Sequence, residues 1–334
     1  MKNIKNNFIE SIGNTPLIKL KAASEITGCN IYGKAEFLNP GGSVKDRAAL
    51  ALIKDAQDKK LISKGGIVVE GTAGNTGIGL GLLGNSLGYK TIIVMNDNQT
   101  QEKKDILKNL GAELKLVPAK PFKDENNYVK VASRLADELR PTNNNGVIWA
   151  NQFDNTANAK GHYEGTGKEI WDQTDGKVDA FICSSGTGGT ISGVSNALKE
   201  KNKNIKIYLS DPKGSSLYNY IKHGELKSEG NSITEGIGSS RITKNFENAK
   251  IDDAFSIDDH EALPILYDLI KNEGLSLGTS CGINIAGAIR LGKELGPGKT
   301  IVTILCDKSD KYASKMFNKK FLDEKGLNYP DWIK

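Results

Sequence analysis

The sequence predicts an α/β protein that folds as two open, twisted α/β domains, each a parallel sheet covered by helices. Short runs of β-branched residues alternate with segments of helical period, as they do in successive βαβ units. The chain has 334 residues, which is enough for two domains rather than one small core. The alternation is interrupted by the polar stretch Arg140–Gly146 and then resumes, so we place a domain boundary there.

The predicted elements form two series, one on each side of that boundary. The first series is strand Ile67–Glu70, a helix that ends near Leu87, strand Thr91–Met95, helix Gln101–Leu110 and strand Glu113–Val117. The second series is strand Val147–Ala150, helix Tyr163–Trp171, strand Val178–Cys183, a helix from Thr190, strand Ile205–Ser210, helices His260–Asn272 and Ile285–Leu295, and strand Thr300–Cys306. Ligands of such folds bind beyond the carboxyl ends of the strands, so functional loops are expected there.

The composition argues against several classes of protein. Hydrophobic residues make up 38% of the chain, and no apolar run approaches the roughly 20 residues needed to cross a membrane. The 45 basic and 40 acidic residues are scattered, so nucleic acid is not an expected partner. The cysteines and histidines lack metal-ligand spacing, so no metal is expected. Dispersed cysteines and the lack of a secretory pattern predict a cytoplasmic protein.

Lys45 lies in the segment Asn39–Arg47, which reads Asn-Pro-Gly-Gly-Ser-Val-Lys-Asp-Arg and leads into a helix-forming run. Ser43 and Asp46 resemble a capping box, so the helix is predicted to begin near Val44. Lys45 then lies in the first turn, where the partial positive charge of the helix end disfavours an ammonium group. A neutral amine is the nucleophile that forms an imine with an aldehyde. The alternative is a solvated surface lysine.

A second candidate is the loop Ser184–Thr190, which reads Ser-Ser-Gly-Thr-Gly-Gly-Thr between a predicted strand and a helix. Backbone amides freed by glycines at a helix start form an anion pocket, and a phosphate is its natural occupant. The loop lacks the Gly-Lys-Ser/Thr ending of a nucleotide P-loop, which favours a phosphorylated cofactor bound without a metal. A purely structural turn is the alternative.

Three further motifs carry weaker signals. The loop Thr72–Gly77 also joins a strand to a helix and is another candidate anion cradle. Gly79–Gly84 matches the dinucleotide pattern of an NAD-linked oxidoreductase, but it lies too far beyond the strand, inside the predicted helix. Gly278–Gly282 matches the nucleophile elbow of serine hydrolases, whose histidine follows the serine, whereas the last histidine here is His260.

In this order, the motifs resemble the cysteine synthase and cystathionine β-synthase family of fold type II pyridoxal phosphate enzymes. The resemblance runs from Ile12–Leu17 through Thr166–Trp171 to Ser280, which covers nearly the whole chain. It implies two domains of the type seen in the tryptophan synthase β-subunit, with pyridoxal 5′-phosphate in the cleft between them. We expect residues 36–146 to form the smaller, mobile domain, and residues 12–35 with 147–334 to form the larger, cofactor-binding domain.

The resemblance also implies a role for each site residue. Lys45 is the Schiff-base lysine. The remaining cofactor residues are Gly186, Thr187, Gly188, Gly189 and Thr190 at the phosphate, Asn75 at the ring hydroxyl and Ser280 at the pyridine nitrogen. The implied substrate residues are Thr72, Ala73, Gly74, Thr76, Gln152 and Gly236, with the substrate carboxylate at Thr72, Thr76 and Gln152.

The implied reaction is β-replacement, in which an activated serine, O-acetyl-L-serine above all, and sulfide give L-cysteine through an aminoacrylate. A hydroxyl at Ser280 does not hold the pyridine nitrogen protonated as a carboxylate does, so elimination is favoured over transamination. The alternative is a cystathionine β-synthase-like or β-eliminating lyase acting on serine, cysteine or a related amino acid. A non-catalytic binding homologue is a further alternative, and family members are usually homodimers.

The sequence departs from the family at positions near the substrate. Ala73 stands where the family usually has serine, and Gly71 stands where proline is common. Glu235 is typical of cystathionine synthases, where O-acetylserine enzymes commonly have glutamine. Arg241 adds a cation that favours an anionic donor or acceptor if it lines the cleft, and a solvated Arg241 is the alternative.

Overall fold

The computed structural model describes residues 4–72 and 74–333. Its strands are β1 Leu17–Lys19, β2 Asn30–Ala35, β3 Ile67–Gly71, β4 Lys90–Asn96, β5 Glu113–Val117, β6 Val147–Trp149, β7 Ala180–Cys183, β8 Lys206–Pro212, β9 Asp253–Ile257 and β10 Thr300–Leu305. Its α-helices are α1 Lys21–Thr27, α2 Lys45–Asp58, α3 Asn75–Leu87, α4 Gln101–Asn109, α5 Tyr128–Leu139, α6 Ala157–His162, α7 Lys168–Gln173, α8 Gly189–Lys201, α9 Leu217–His223, α10 Lys244–Glu247, α11 Asp259–Asp268, α12 Thr279–Leu295, α13 Ala313–Met316 and α14 Lys319–Lys325.

The described residues divide into two compact units. The first comprises 4–13 and 39–161, and the second comprises 14–38 and 162–333. The predicted boundary at residue 146 differs from this division, because β6 pairs in parallel with β3 and so extends the first sheet. The first unit therefore continues to Gly161. Hydrophobic period reveals a strand but not which sheet the strand joins.

The first unit is built on a four-stranded parallel sheet with the order β5-β4-β3-β6. One face of this sheet packs against α2 and α3 through buried residues that include Leu52, Val68 and Leu80. The other face packs against α5, whose Ala132 and Ala136 are fully buried. Strands covered by helices on both faces read as continuous apolar runs, which is why β3 and β4 were predicted accurately, whereas α5 was not predicted.

The second unit is built on a six-stranded sheet with the order β1-β2-β10-β7-β8-β9. Its strands are parallel except β1, which runs antiparallel to β2 at one edge. The core of the unit includes Ile182 and Ile301 from the sheet, packed with Leu266 of α11 and Leu291 of α12. The α/β fold class predicted from the sequence is confirmed.

Ten elements lie where none was predicted, namely β1, β2, β9, α1, α5, α6, α9, α10, α13 and α14, and two predicted helices begin differently. Helix α12 begins at Thr279, six residues before the predicted start at Ile285. The predicted helix Tyr163–Trp171 begins with a π-helical turn, Tyr163–Gly167, and only then becomes α-helical. Between the predicted strand Ile205–Ser210 and the predicted helix His260–Asn272, where no element was predicted, the structure has α9 and α10. Within the described part of the chain, no helix combines the length and apolar character of a membrane span.

Candidate active site

Lys45 is the first residue of α2 and is half-buried. The Ser43 hydroxyl accepts a hydrogen bond from the Lys45 N–H at 3.2 Å, and the Asp46 carboxylate accepts one from the Gly41 N–H at 2.5 Å. The N-cap of α2 is Val44, without a side-chain cap bond, and not the predicted Ser43. The Asp46 carboxylate reaches back to the preceding glycine loop. Both bonds tie the loop to the first turn and fix the backbone from which the Lys45 side chain extends.

The loop after β3 carries most of the predicted substrate residues, with Ala73 outside the described residues. The Gly74 N–H donates to the Thr72 hydroxyl at 3.3 Å, and the Thr76 hydroxyl donates to the Gln152 side-chain carbonyl at 2.6 Å. Thr76 and Gln152 are both buried. The fold therefore brings together two residues that are 76 positions apart in the sequence.

Helices α2 and α3 lie side by side at their N-terminal ends. A Cβ atom on Gly79 would lie 3.0 Å from the Ala49 Cβ and 3.4 Å from the Asp46 Cα, so this glycine permits the close approach. Likewise a Cβ on Gly84 would collide with the Thr91 side chain. The dinucleotide-like pattern Gly79–Gly84 thus lies inside α3, where its glycines serve packing and not a pyrophosphate.

Gly71, where the family commonly has proline, touches a neighbouring helix. A Cβ at this position would lie 2.7 Å from the Val129 Cα and 2.9 Å from the Tyr128 carbonyl oxygen. These are backbone atoms of α5, so no side-chain rotation relieves the contact. The departure from the family is therefore matched by a close approach of α5 to the end of β3.

Glu70 is a buried acid directly before the substrate loop, and sequence reasoning missed it. Its side chain is fully buried on β3, and neither carboxyl oxygen has a hydrogen-bond partner of normal geometry among the described residues. Burial raises the pKa of Glu70 to about 8, because the backbone amides of Asn151 and Gln152 and the Gln152 side chain offset it only in part. Burial thus favours the neutral form of Glu70 beside Gln152.

This burial makes a testable prediction about stability. The folded pKa lies above the unfolded value near 4.5, so the folded state binds the extra proton and its stability falls as pH rises from about 4.5 to about 8. Glu70→Gln removes this dependence while keeping the shape of the neutral acid. We expect the variant to gain about 2 to 4 kcal/mol relative to the wild type between pH 5 and pH 8. Urea unfolding at several pH values measures the difference.

A matched control is Glu102→Gln, which changes an exposed glutamate in the first turn of α4. Its effect on the free energy of unfolding is expected to stay within about 0.5 kcal/mol across the same pH range. A constant difference between Glu70→Gln and the wild type from pH 5 to pH 8 would contradict the assignment of a neutral Glu70.

In the second unit, the predicted phosphate loop joins β7 to α8. Gly188 precedes the helix with φ +87°, a backbone conformation that favours glycine. The first N–H groups of α8 have no acceptor within the helix, so they can bind a ligand. Asn284 fixes the beginning of the loop, because its side-chain oxygen accepts from the Ser184 N–H at 2.7 Å. The loop is thus held in a shape that presents N–H groups to an anion.

A second segment supports this loop from residues 236 to 246. The Gly238 N–H donates to the Ser185 carbonyl at 2.8 Å, and the Thr243 hydroxyl donates to the Thr187 carbonyl at 2.7 Å. A Cβ on Gly186 would lie 2.3 Å from the Gly236 carbonyl oxygen. The structure therefore brings Gly236, which was predicted as a substrate residue, close to the phosphate loop.

Ser280 is buried in the first turn of α12. The same helix carries Asn284, which binds Ser184 as described, so α12 links Ser280 to the phosphate loop. Glu235, another departure from the family, forms an ion pair with Lys315 at 2.6 Å.

The polar groups of the second unit fit a phosphorylated, nitrogen-containing cofactor. Two buried hydroxyls, of Ser185 and Thr279, have no hydrogen-bond partner among the described residues. Ser185 lies in the phosphate loop and Thr279 lies next to Ser280, and these are the two places where the cofactor was predicted to present polar atoms. Buried hydroxyls normally have partners, so these two indicate sites where a polar ligand fits. No three His, Cys, Asp or Glu side chains of residues 4–72 and 74–333 are grouped to hold a metal.

Two other residues were missed at the sequence level, Asn284 and His162. Asn284 is fully buried and forms bonds both to Ser184 and to the Ile304 carbonyl. His162 is 1% exposed, and its ring lies between Thr166 and Thr190. Asn284 belongs to a helical turn that was not predicted, and His162 was considered only as a metal ligand. Asn284 is marked in the sequence only as a polar residue amid small and apolar ones, and His162, which has polar neighbours, lacks even this signal.

Each of the two α/β units carries a glycine-rich loop at the start of a helix, and such a loop can bind the phosphate of a cofactor. The model of the family of pyridoxal-phosphate dependent enzymes matches residues 9–307, and the chain belongs to this family. It is therefore an enzyme that depends on pyridoxal phosphate.

Three relatives show how close the similarity is. Cysteine synthase 1 of Emericella nidulans is 49% identical over 96% of this chain and 87% of its own length. Cystathionine beta-synthase of Dictyostelium discoideum is 37% identical over 99% of this chain and 65% of its own length. The solved structure of a hydrogen sulfide-producing enzyme from Fusobacterium nucleatum has a TM-score of 0.81 and 34% identity, covering 92% of this chain and 100% of that one.

Proposed function

We propose that this enzyme forms L-cysteine by β-replacement, with O-acetyl-L-serine or another activated serine as donor and sulfide as acceptor. The observation that carries the proposal is the similarity to cysteine synthase 1 of Emericella nidulans, which extends over nearly the whole chain. Because one fold supports several reactions, the residues of the site determine which reaction this enzyme catalyses.

Lys45 is assigned two tasks, binding the cofactor aldehyde and moving the proton of the substrate Cα. When bound, pyridoxal phosphate supplies an aldehyde carbon and an electron-accepting ring that stabilises negative charge on the substrate Cα. The Lys45 amine acts as the base that removes the Cα proton, after which the β-substituent leaves and sulfide adds. The bonds of Ser43 and Asp46 described above hold the backbone of this first helical turn in place.

The loop after β3 and Gln152 are assigned to the substrate carboxylate. The Thr72 hydroxyl accepts from the Gly74 N–H, so its own proton is directed to another acceptor. The Thr76 hydroxyl donates to the Gln152 carbonyl, which turns the Gln152 NH₂ group away from Thr76 and supports its use as a donor. Gly74 and Ala73 are assigned to the substrate from the sequence alone, with Ala73 outside the described residues.

The remaining residues are assigned to the cofactor and the outer side of the substrate. Gly186, Thr187, Gly188, Gly189 and Thr190 would bind the phosphate, and Asn75, at the start of α3, would bind the ring hydroxyl. Ser280 would face the pyridine nitrogen as a neutral partner, which favours elimination over transamination. Gly236 is assigned to the substrate side because it is exposed and has open space at its Cβ position.

The test is a product analysis of the purified holoenzyme with O-acetyl-L-serine and sulfide. We expect one acetate to be released for each cysteine formed. If the protein binds pyridoxal phosphate and O-acetyl-L-serine but forms no cysteine with sulfide present, the proposal is wrong.

A second candidate is β-elimination or a cystathionine β-synthase-like reaction. It is supported by the likeness to a hydrogen sulfide-producing enzyme and by Glu235, which is typical of cystathionine synthases. Incubation with cysteine alone, and with serine plus homocysteine, separates the two candidates. Sulfide release or cystathionine formation that exceeds cysteine formation would favour the second candidate.

We further propose that the enzyme is a cytoplasmic homodimer. Four free cysteines support a reducing compartment, and the dimer rests on analogy with the family. Light scattering of the holoenzyme measures the dimer, and a monomeric mass at assay concentration would contradict it.

A further inference from the structure

Two of the cysteines, Cys281 and Cys306, contact each other at the start of α12. The Cys306 backbone N–H donates a hydrogen bond to the Cys281 sulfur at 3.1 Å, and a second hydrogen bond joins the two side chains. Cys281 directly follows Ser280, the residue assigned to the pyridine nitrogen, and Cys306 directly follows β10. The pair therefore connects the helical turn that carries Ser280 to an inner strand of the six-stranded sheet.

Asn284 connects the same pair to the phosphate loop. Its amide nitrogen donates to the Cys306 sulfur at 3.5 Å, and its oxygen accepts from the Ser184 N–H at 2.7 Å. Asn284 lies about one turn after Cys281 on α12. A displacement of this helical start therefore affects Ser280 and the beginning of the phosphate loop together.

The two thiols differ in their exposure and hence in their reactivity. Cys281 is fully buried, and this burial raises the pKa of its thiol well above the ordinary value, with the Cys306 side chain acting in the same direction. Because the thiolate is the reactive form, a thiol that is held protonated is a poor direct target of an oxidant. Cys306 is only partly buried, so it is the thiol that a small oxidant meets first.

We propose that Cys281 and Cys306 form a reversible disulfide when the enzyme meets a hydroperoxide, and that this bond weakens cofactor binding. The Cys306 thiol first breaks the O–O bond of the hydroperoxide ROOH, which gives a sulfenic acid on Cys306 and the alcohol ROH. The Cys281 sulfur then attacks the sulfenic sulfur, the S–S bond forms, and the thiol proton leaves with the hydroxyl group as water. The two sulfur atoms lose two electrons, which the hydroperoxide gains. A dithiol restores both thiols by exchange.

The disulfide is expected to move the first turn of α12, because bonded sulfur atoms lie closer together than those of two hydrogen-bonded thiols. Cys306 follows a strand that pairs with β2 on one side and β7 on the other, so the helical start is the part that shifts. Cys281 also loses its hydrogen bond to the Asp307 carbonyl, since a disulfide has no S–H group. Ser280 and Asn284 move with the turn. This effect rests on the cofactor role assigned to Ser280, whereas the bond itself depends on neither the substrate nor the reaction.

Peptide mapping of the wild-type holoenzyme tests the bond directly and needs no variant. Trypsin releases the two cysteines in separate peptides, residues 272–290 and 300–308, and neither peptide contains another cysteine. After treatment with hydrogen peroxide and blocking of the remaining thiols, we expect mass spectrometry to find these two peptides linked. The linked species is expected to disappear after treatment with dithiothreitol.

Two variants test the order of the steps and the effect on the cofactor. In Cys281→Ser the sulfenic acid on Cys306 meets no thiol, so we expect dimedone to label Cys306 in this variant and not in the wild type. The dissociation constant is measured from the pyridoxal phosphate that the holoenzyme releases on dilution. Peroxide is expected to raise it about tenfold in the wild type, the size of one lost hydrogen bond, and dithiothreitol to reverse the change. Cys306→Ser lacks the first thiol, so no change with peroxide is expected.

The matched control is Cys29→Ser, which changes a buried cysteine near the other end of α12, where its sulfur donates to the Gly296 carbonyl at 3.2 Å. This variant keeps the pair and is expected to respond to peroxide as the wild type does. A wild type without a bond between Cys281 and Cys306 after peroxide, or a linked enzyme that binds the cofactor as tightly as the reduced one, would overturn the proposal. An enzyme that forms the bond but makes no cysteine from O-acetyl-L-serine and sulfide would contradict the proposed reaction and leave this inference standing.

Discussion

Lys45→Ala is expected to abolish the covalent bond to the cofactor and to lower the turnover number at least about 10³-fold. General acid–base catalysis by one positioned group contributes on the order of 10² to 10⁴, and Lys45 is also assigned as the nucleophile that binds the aldehyde. An alanine provides neither function. The measurements are the rate of cysteine formation and the violet absorbance of the protein before and after borohydride reduction, followed by peptide mapping of the label.

The matched control is Lys54→Ala, which changes an exposed lysine on the same helix. This variant is expected to keep the absorbance, the label on Lys45 and the wild-type rate, since exposed substitutions away from a site have small effects. A Lys45→Ala enzyme with unchanged turnover, or a borohydride label on a different lysine of the wild type, would refute the assignment.

The fold was predictable because its strands are short and apolar and its helices are separated by clear turns. The parallel sheet of the first unit follows from three apolar runs, and β3 and β4 lie within one residue of their predicted ends. The strands β1, β2 and β9 were not predicted. Of these, β1 is three residues long and only partly buried, so it offers no alternation to recognise. A short edge strand such as β1 is therefore recognised only when the strand that pairs with it is known.

The start of α12 was missed because its first ten residues are all buried. A helix surrounded by protein has no polar face, so the 3.6-residue pattern that predicts a helix is absent. Glycine and serine in Gly278–Gly282 also weaken the helix propensity. Ser280 was found from its motif, whereas Asn284, one turn later, was not.

The site residues that lie in or next to glycine-rich loops were predictable from the sequence. The residues whose environment depends on tertiary contacts were not. Lys45 and the phosphate loop were recognised from local sequence. Glu70 was not, because a glutamate in a strand is ordinarily exposed and only the packing around β3 excludes water from it. His162 was likewise unrecognisable, because its partner Thr190 lies 28 residues away.

Gly188→Ala is expected to have the second-largest effect, on cofactor binding and on stability together. Residue 188 has φ +87°, and an added Cβ would lie 2.5 Å from the Phe246 nitrogen and 2.7 Å from the Phe246 Cα. These backbone atoms of α10 do not rotate away, so the phosphate loop must shift. We expect the free energy of unfolding to fall by about 3 kcal/mol, from backbone strain and overpacking together. The dissociation constant for pyridoxal phosphate is expected to rise at least about a hundredfold, since several N–H donors to a charged group move at once.

The control that isolates the collision is Gly224→Ala. Gly224 has φ +76°, almost the same backbone conformation, but no atom lies within 4 Å of its Cβ position. It ends the surface helix α9, so alanine there adds only the backbone strain of about 1 kcal/mol. Urea unfolding of the apoenzymes and titration with pyridoxal phosphate compare the two variants. Equal losses of stability would show that φ alone limits position 188, and wild-type cofactor affinity in Gly188→Ala would show that the loop does not bind the phosphate.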